Sequence, residues 1–162
     1  MQILTHPSPA LRQRADEIEP VTDDSLHDLV GKMARAMYDA PGVGLAATQV
    51  GVLKRVLIYD LDDGLVALCN PRIVESSEET ETDEEGCLSV PGISIPVERN
   101  CEIVCEAEDL EGAPVTVRAS DLLARLLQHE VDHLNGVIIL DRAADEDRKI
   151  ALRKYRDALQ VG

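Results

Sequence analysis

The chain has 162 residues, of which 44% are hydrophobic, and we therefore expect one compact domain over residues 1–162 instead of a disordered chain. Its formal net charge is −15, from 16 Lys and Arg against 31 Asp and Glu, which argues against binding DNA or an anionic membrane with the whole surface. Aromatic residues make up 2%, so the core has to be built from aliphatic side chains and Met.

The N-terminal segment has the features of neither a signal peptide nor a membrane anchor. No stretch of the chain approaches the roughly 20 apolar residues of a membrane helix. We expect a soluble protein of the cytoplasm, where cysteines do not need to form disulfides. Cys69, Cys101 and Cys105 are interpreted as small core residues, because each lies in an apolar or alternating stretch.

The first half of the chain predicts one helix and two strands. The helix ends near Tyr38, ahead of the Pro and Gly residues of 41–44. Residues 55–60 and 65–70 are apolar and predict strands. Residues 75–85 hold seven acidic side chains and no basic one, which predicts a solvated loop or an edge strand.

The second half predicts two strands, 97–106 and 114–117, followed by two helices. The helix from residue 122 to about 135 is apolar over much of its circumference, including Leu122, which favours a buried central position. A last helix runs from about residue 145 to 160. Together these elements predict an α+β fold, with antiparallel strands packed around the central helix and a C-terminal helix.

The central helix contains the sequence Gln128-His-Glu-Val-Asp-His133, a His-Glu-x-x-His pattern. His129 and His133 are four residues apart, so they project from one face of a helix and can share a metal ion. Glu130 lies beside them, where a carboxylate can accept a proton from an activated water. The pattern indicates a metal hydrolase, although a surface helix with two His and one Glu would show the same residues.

Two further segments, taken with this helix, point to a family. They are Gly42-Val-Gly-Leu-Ala-Ala-Thr-Gln49 and Glu85-Gly-Cys-Leu-Ser89, and the three segments in this order resemble the signature motifs of peptide deformylase. The resemblance extends to residues 3–12 and 121–125, and so covers essentially the whole chain. It implies a hydrolase that removes the formyl group from the N-formylmethionine of newly made polypeptides and releases formate.

The resemblance implies that Cys87, His129 and His133 bind one divalent metal ion. Three protein ligands leave a fourth position open, as in catalytic sites. No His follows His133 and the one later Glu is Glu146, which favours an upstream Cys as the third ligand. A buried structural thiol is the alternative for Cys87. These ligands suit Zn(II), Ni(II), Co(II) or iron, and the family implies Fe(II) as the native ion.

The resemblance also implies the catalytic groups. Glu130 acts as general base and then as general acid. The Gln49 side chain and the backbone N–H of Leu88 stabilise the negative oxygen that forms during attack on the carbonyl. Without the family pattern, Gln49 would be interpreted as an exposed amide at the end of a helix.

Substrate contacts are assigned in the same way. The family implies that Val43 and Gly44 line a cleft in which an extended peptide pairs like an added strand. The candidates for the apolar pocket that receives the methionine side chain are Val43, Leu88, Leu126 and the ring of His129, although Leu126 could equally belong to the core.

Other residues are given supporting roles by analogy. Asp132 orients the site, with Arg99 as a charge partner, and Glu85 supports the metal ligands. The sequence departs from the family at Asp121, where Gly is frequent, and at residues 138–139, where aromatic residues are frequent. These departures concern packing and specificity, and they do not concern the proposed chemistry.

The resemblance implies nascent formylated peptides as partners. We expect neither a membrane nor DNA as a partner. Residues 148–156 of the last helix hold five basic side chains and no acidic one. The resemblance implies that this helix docks on the ribosome, as it does in some bacterial deformylases; the alternative is a solvated helix whose charges offset its dipole. The basic residues are Arg148, Lys149, Arg153, Lys154 and Arg156.

Three other functions stay open at this point. One is a metallopeptidase of another type, and the second is an inactive deformylase-like binding protein. The third is a thiol protease that uses Cys87 without metal.

Overall fold

The computed structural model describes residues 1–161, which form four helices and seven strands. The helices are α1 (Leu26–Asp39), α2 (Asp121–Leu134), α3 (Ile139–Arg142) and α4 (Asp145–Val161), and two 3-10 turns cover Pro9–Arg12 and Ala47–Val50. The strands are β1 (Gly44–Ala46), β2 (Val56–Tyr59), β3 (Val66–Ser76), β4 (Thr80–Cys87), β5 (Val90–Asn100), β6 (Glu102–Glu108) and β7 (Pro114–Ser120).

Five strands form one antiparallel sheet in the order β1-β2-β3-β6-β7, and β4 pairs with β5 in a separate hairpin. Strand β2, in the larger sheet, is buried on both of its faces. Leu57 belongs to the same core cluster as Leu127 of α2, whereas Val56 and Ile58 pack in the cluster of Met33 from α1. A strand covered on both faces needs a continuous apolar run, which β2 provides.

The hairpin has its own apolar cluster. Val97 of β5 packs in this cluster with Ile139 of α3 and Tyr155 of α4. The predicted α+β fold, with antiparallel strands around α2 and a C-terminal helix, is confirmed. None of the helices within residues 1–161 is both long and apolar enough to span a bilayer.

The predicted strand over residues 97–106 is wrong as one element. The chain leaves β5 at Asn100 and enters β6 at Glu102, and the two strands lie in different sheets. Residues 100–103 alternate polar and apolar across this turn, and no Gly or Pro marks it, so the local pattern does not indicate where one strand ends. The acidic segment 75–85 contains most of β4, an exposed edge strand, which was one of its two predicted forms.

Two predictions of burial are also wrong. Leu122 is 61% exposed, because it lies in the first turn of α2 at the rim of a cleft. Cys101 is half-buried between β5 and β6 instead of facing a core. Cys69 and Cys105 are fully buried, as predicted, and all four cysteines are free thiols.

Gly136 ends the helix α2 in a conformation that only Gly adopts easily. Its φ is +77°, and a Cβ at this position would lie 2.6 Å from the backbone oxygen of Arg12. Backbone cannot move aside as a side chain can. We expect Gly136→Ala to lower the free energy of unfolding by about 2 kcal/mol or more, measured by urea denaturation.

Gly31 provides the matched control. It lies inside α1, where a Cβ would meet no atom within 4 Å. Since Ala is the better helix former by about 1 kcal/mol, Gly31→Ala should leave stability unchanged or raise it. Equal effects of the two substitutions would contradict the close contact at Arg12.

Candidate metal centre

Three potential metal ligands converge where the end of β4 meets α2. The Nε2 atom of His133 lies 3.3 Å from Cys87 Sγ and 3.1 Å from His129 Nε2. The two His are one helical turn apart on α2, and Cys87 is the last residue of β4. One donor atom from each residue lies within 4.8 Å of the others, so the three can bind one ion.

The spacing of these atoms fits a tetrahedral metal. Ligand bonds typical of zinc require about 3.3 Å between two His nitrogens and about 3.6 Å from nitrogen to sulfur. The observed distances of 3.1 Å between the His nitrogens and 3.3 Å from nitrogen to sulfur are close to these values. Glu130 Oε1 and His133 Nδ1 are buried and have no hydrogen-bond partner among the described protein groups. A thiolate and two imidazoles suit zinc or a divalent ion from iron to nickel.

His129 is oriented by a buried carboxylate. Its Nδ1 lies 2.9 Å from Glu85 Oε1, so Nε2 is directed toward Cys87 and His133. Burial by itself would raise the pKa of Glu85, but hydrogen bonds from His129 and Arg99 hold that pKa at about 2. Glu85 is therefore a permanent anion behind the His129 ring.

An Arg network surrounds Glu85 and joins it to α2. Arg99 donates to both Glu85 oxygens at 2.9 and 3.0 Å, and to Asp132 Oδ2 at 2.6 Å. Arg125 donates to Glu85 Oε2 at 2.6 Å, and Arg142 donates to Asp132 Oδ1 at 2.8 Å. The structure thus pairs Asp132 with Arg99, as expected by analogy, and shows that the same Arg also binds Glu85. It adds Arg125 and Arg142, for which local sequence gave no signal.

Glu130 lies beside the metal ligands in a fully buried position on α2. Burial raises the pKa of its carboxyl group to about 7. A carboxyl group with a pKa near neutrality can both accept and return a proton, which suits acid–base chemistry. The backbone of Gly44 passes so close that a Cβ there would lie 2.7 Å from Glu130 Oε2.

Gln49 is buried beside Cys87, so the alternative of an exposed amide at a helix end is wrong. Its Oε1 accepts a hydrogen bond from the Ala46 N–H at 2.9 Å, which fixes the orientation of the amide. Its Nε2 therefore faces Ser89 Oγ at 3.1 Å and Cys87 Sγ at 3.8 Å. Ser89 was not assigned a role from the sequence, although its N–H donates to the Cys87 sulfur at 3.4 Å.

A cleft of about 790 Å³ opens onto this cluster. Gly44, the first residue of β1, lines one wall, and β1 is an edge of the larger sheet. Val43 and Gly44 line the cleft, and so do Leu88 and Leu126. Leu126 also packs in the core cluster of α2, so its two interpretations are compatible.

Comparison with known proteins identifies the family. The family model described as polypeptide deformylase matches residues 1–149. The chain belongs to the peptide deformylase family. The predicted enzyme class is confirmed, because curated deformylases are nearly half identical to this chain over most of their length. The relative from Acidothermus cellulolyticus is 47% identical over 156 residues, covering 95% of this chain and 84% of the relative. The relative from Dictyoglomus thermophilum is 48% identical over 141 residues, covering 87% and 91%.

Solved deformylase structures show the same fold. The enzyme from Legionella pneumophila superposes with a TM-score of 0.92 at 39% identity, covering 99% of this chain and 95% of that one. The enzyme from Synechococcus elongatus in complex with actinonin gives a TM-score of 0.90 at 37% identity, covering 94% and 86%. The arrangement of sheets around α2 is therefore that of deformylases.

Gly44 provides a test of how closely the cleft wall and Glu130 fit together. We expect Gly44→Ala to fold normally but to lower kcat at least about 10-fold, because the new methyl group displaces the Glu130 carboxylate. Gly31→Ala in α1 is the control, since its Cβ would meet no atom within 4 Å. Formate release by the two variants, at equal metal content, checks this. Equal losses would contradict the role of the Gly44 contact.

Proposed function

We propose that this chain removes the formyl group from N-formylmethionine at the start of newly made polypeptides, releasing formate. The observation that supports this most directly is the convergence of Cys87, His129 and His133 beside Glu130 in a deformylase fold. We further propose that residues 1–162 act as one catalytic domain.

The proposed chemistry is hydrolysis of the formyl amide. A divalent ion held by Cys87, His129 and His133 would supply Lewis acidity at the carbonyl and favour hydroxide near neutral pH. Glu130 accepts the proton of the attacking water at its carboxylate and delivers it to the leaving amine nitrogen. Gln49 Nε2 and the Leu88 N–H donate hydrogen bonds to the carbonyl oxygen as it becomes negative. The orientation of the Gln49 amide beside Cys87 supports this role.

The substrate would bind as an extended peptide along the open edge of β1. Val43 and Gly44 would lie beside this added strand. The Val43 carbonyl already accepts a hydrogen bond from the Asp60 N–H, so the remaining backbone groups of the two residues would pair with the peptide. Leu126 and Leu88 would contact the methionine side chain in the apolar part of the cleft.

We propose Fe(II) as the native ion, with Zn(II), Ni(II) and Co(II) as ions that the same ligands accept. A thiolate ligand and a divalent iron are both sensitive to oxygen, so activity should fall during aerobic handling of the iron form. The nickel form, which is less prone to oxidation, should keep its activity for longer under the same conditions.

Formate release from a formyl-Met-Ala-Ser peptide tests the proposed function. The protein is purified anaerobically with Fe(II) or reconstituted with Ni(II), and the acetylated peptide is the control. Release from the formyl peptide alone supports the proposal. No release, with one metal ion bound per chain, would overturn it in favour of a binding role. Cleavage of internal peptide bonds would instead indicate another metallopeptidase, and activity without metal would indicate a thiol protease.

We also propose that the enzyme acts in the cytoplasm and docks on the ribosome through α4. Arg153, Lys154 and Arg156 are exposed on this helix, and none of them forms an ion pair within the described part of the chain. Replacing all three with Gln should weaken ribosome binding at low salt and flatten its salt dependence. Unchanged affinity at low and moderate salt would refute the docking role.

A further inference from the structure

The carboxyl end of α2 is buried, and its last carbonyl groups have unusual partners. The final turn of a helix leaves carbonyls without partners inside the helix. The oxygen of His133 accepts hydrogen bonds from Thr48 Oγ1 at 3.0 Å and from the Gly136 N–H at 3.1 Å. The oxygen of Leu134 accepts from Arg55 Nη1 at 3.0 Å and from the Ala15 N–H at 2.8 Å.

Arg55 is a buried cation without a carboxylate partner among residues 1–161. Its side chain is 6% exposed, and it donates to the backbone oxygens of Leu134 and Ala15 and to Asn135 Oδ1. An isolated buried charge is unfavourable by several kcal/mol unless its surroundings compensate it. Here the negative end of the α2 dipole provides that compensation. The guanidinium therefore binds the end of the helix that carries the metal ligands.

Thr48 links the same end of α2 to the turn that contacts Cys87. It is fully buried in the 3-10 turn Ala47–Val50, directly before Gln49. The turn therefore contacts the backbone of His133 through Thr48, and it contacts the Cys87 sulfur through Gln49. The turn therefore connects the backbone of His133 to the side chain of Gln49, which lies beside Cys87.

The two His ligands are oriented in different ways. The ring of His129 is held at Nδ1 by Glu85, whereas His133 Nδ1 has no partner among the protein groups described. The direction of the His133 ring must therefore be set by packing and by the position of its backbone. The contacts of Thr48 and Arg55 act on that backbone.

We propose that Thr48 and Arg55 are positioning residues that hold the His133 end of α2 and thereby set the metal affinity of the centre. This inference rests on the proposed metal site and goes beyond it. Neither side chain needs to contact the ion or the substrate. Their effect should appear in the affinity and ligand geometry of a bound metal, and not only in the stability of the fold.

Thr48→Val and Thr48→Ser form the matched pair that tests the proposal. Val keeps the shape of Thr without the hydroxyl donor, and Ser keeps the donor. Cobalt-loaded proteins are titrated with a chelator, while the visible and near-ultraviolet bands of Co(II) with thiolate and imidazole are recorded. We expect Thr48→Val to raise the Kd for Co(II) about 10-fold and to shift these bands, and Thr48→Ser to remain within about 2-fold of the wild-type affinity.

Arg55→Lys provides a second variant should Thr48→Val fail to fold. Lys keeps the charge but cannot reach several acceptors with a planar fork, so the Kd for Co(II) should again rise about 10-fold. If Thr48→Val and Arg55→Lys both keep the wild-type Kd and spectra, whatever their stability, this inference is wrong. The proposed metal centre is unaffected by that outcome. No cobalt binding by the wild-type protein would overturn the proposed metal centre and this inference with it.

Discussion

Replacing Glu130 with Gln should leave one metal ion bound per chain and lower the rate of formate release by about 10³-fold. Gln has nearly the same shape, so the packing of Glu130 against Gly44 is kept. What is lost is the carboxylate that, in the proposed mechanism, accepts the proton of the attacking water. Glu130 is not one of the three clustered ligands, so the metal site itself should be unaffected.

Metal content and single-turnover formate release are measured on the same Glu130→Gln sample. Glu146→Gln is the control, because Glu146 is an exposed carboxylate in the first turn of α4. This control should retain the full rate. A Glu130→Gln enzyme with turnover close to wild type would refute the assignment of Glu130 as the base, and loss of the metal would show that Glu130 is instead a ligand.

Replacing Arg99 with Met should lower the free energy of unfolding by about 3 kcal/mol. Met occupies a similar volume but leaves the buried carboxylates of Glu85 and Asp132 with one cation fewer each. The loss stays at the lower end of the range for broken buried pairs, because Arg125 and Arg142 remain as partners. Urea denaturation near neutral pH, where Glu85 is ionised in both the folded and unfolded states, measures this loss.

Arg72→Met is the matched control for Arg99→Met. The ion pair of Arg72 with Glu106 has a similar length, 3.1 Å, but its side chains are 73% and 46% exposed. Removing an exposed pair should change stability by less than about 1 kcal/mol. A similar small loss for Arg99→Met would mean that water or the remaining Arg side chains replace its contacts fully.

Much of the site could be predicted because its signals are local. His129 and His133 are one helical turn apart, so their spacing alone places them on one face of α2, with Glu130 beside them. Gln49 and Cys87 carry no such signal by themselves, and the resemblance to a family was needed to join them to the helix. The continuous apolar run of β2 likewise predicts a strand, and its burial on both faces explains that run.

The Arg network could not be predicted in full, because its members are far apart in the chain. Arg125 reaches a carboxylate 40 positions away, and Arg99 reaches Asp132 over 33 positions. Nothing in the residues around Arg142 indicates that it bonds the same Asp. The turn at Cys101 was missed for a different reason, since its alternating pattern continues from one sheet into the other.

The exposed edge strand β4 gives the acidity of the chain a local meaning. Glu81, Asp83 and Glu84 are exposed along it, and β5 is its one strand partner among residues 1–161. An open strand edge is a template on which a second copy could add a strand and begin aggregation. Two such edges meeting in antiparallel fashion would place carboxylates against carboxylates, which is unfavourable. We therefore expect the carboxylates of β4 to disfavour the pairing of two copies of this chain along this edge.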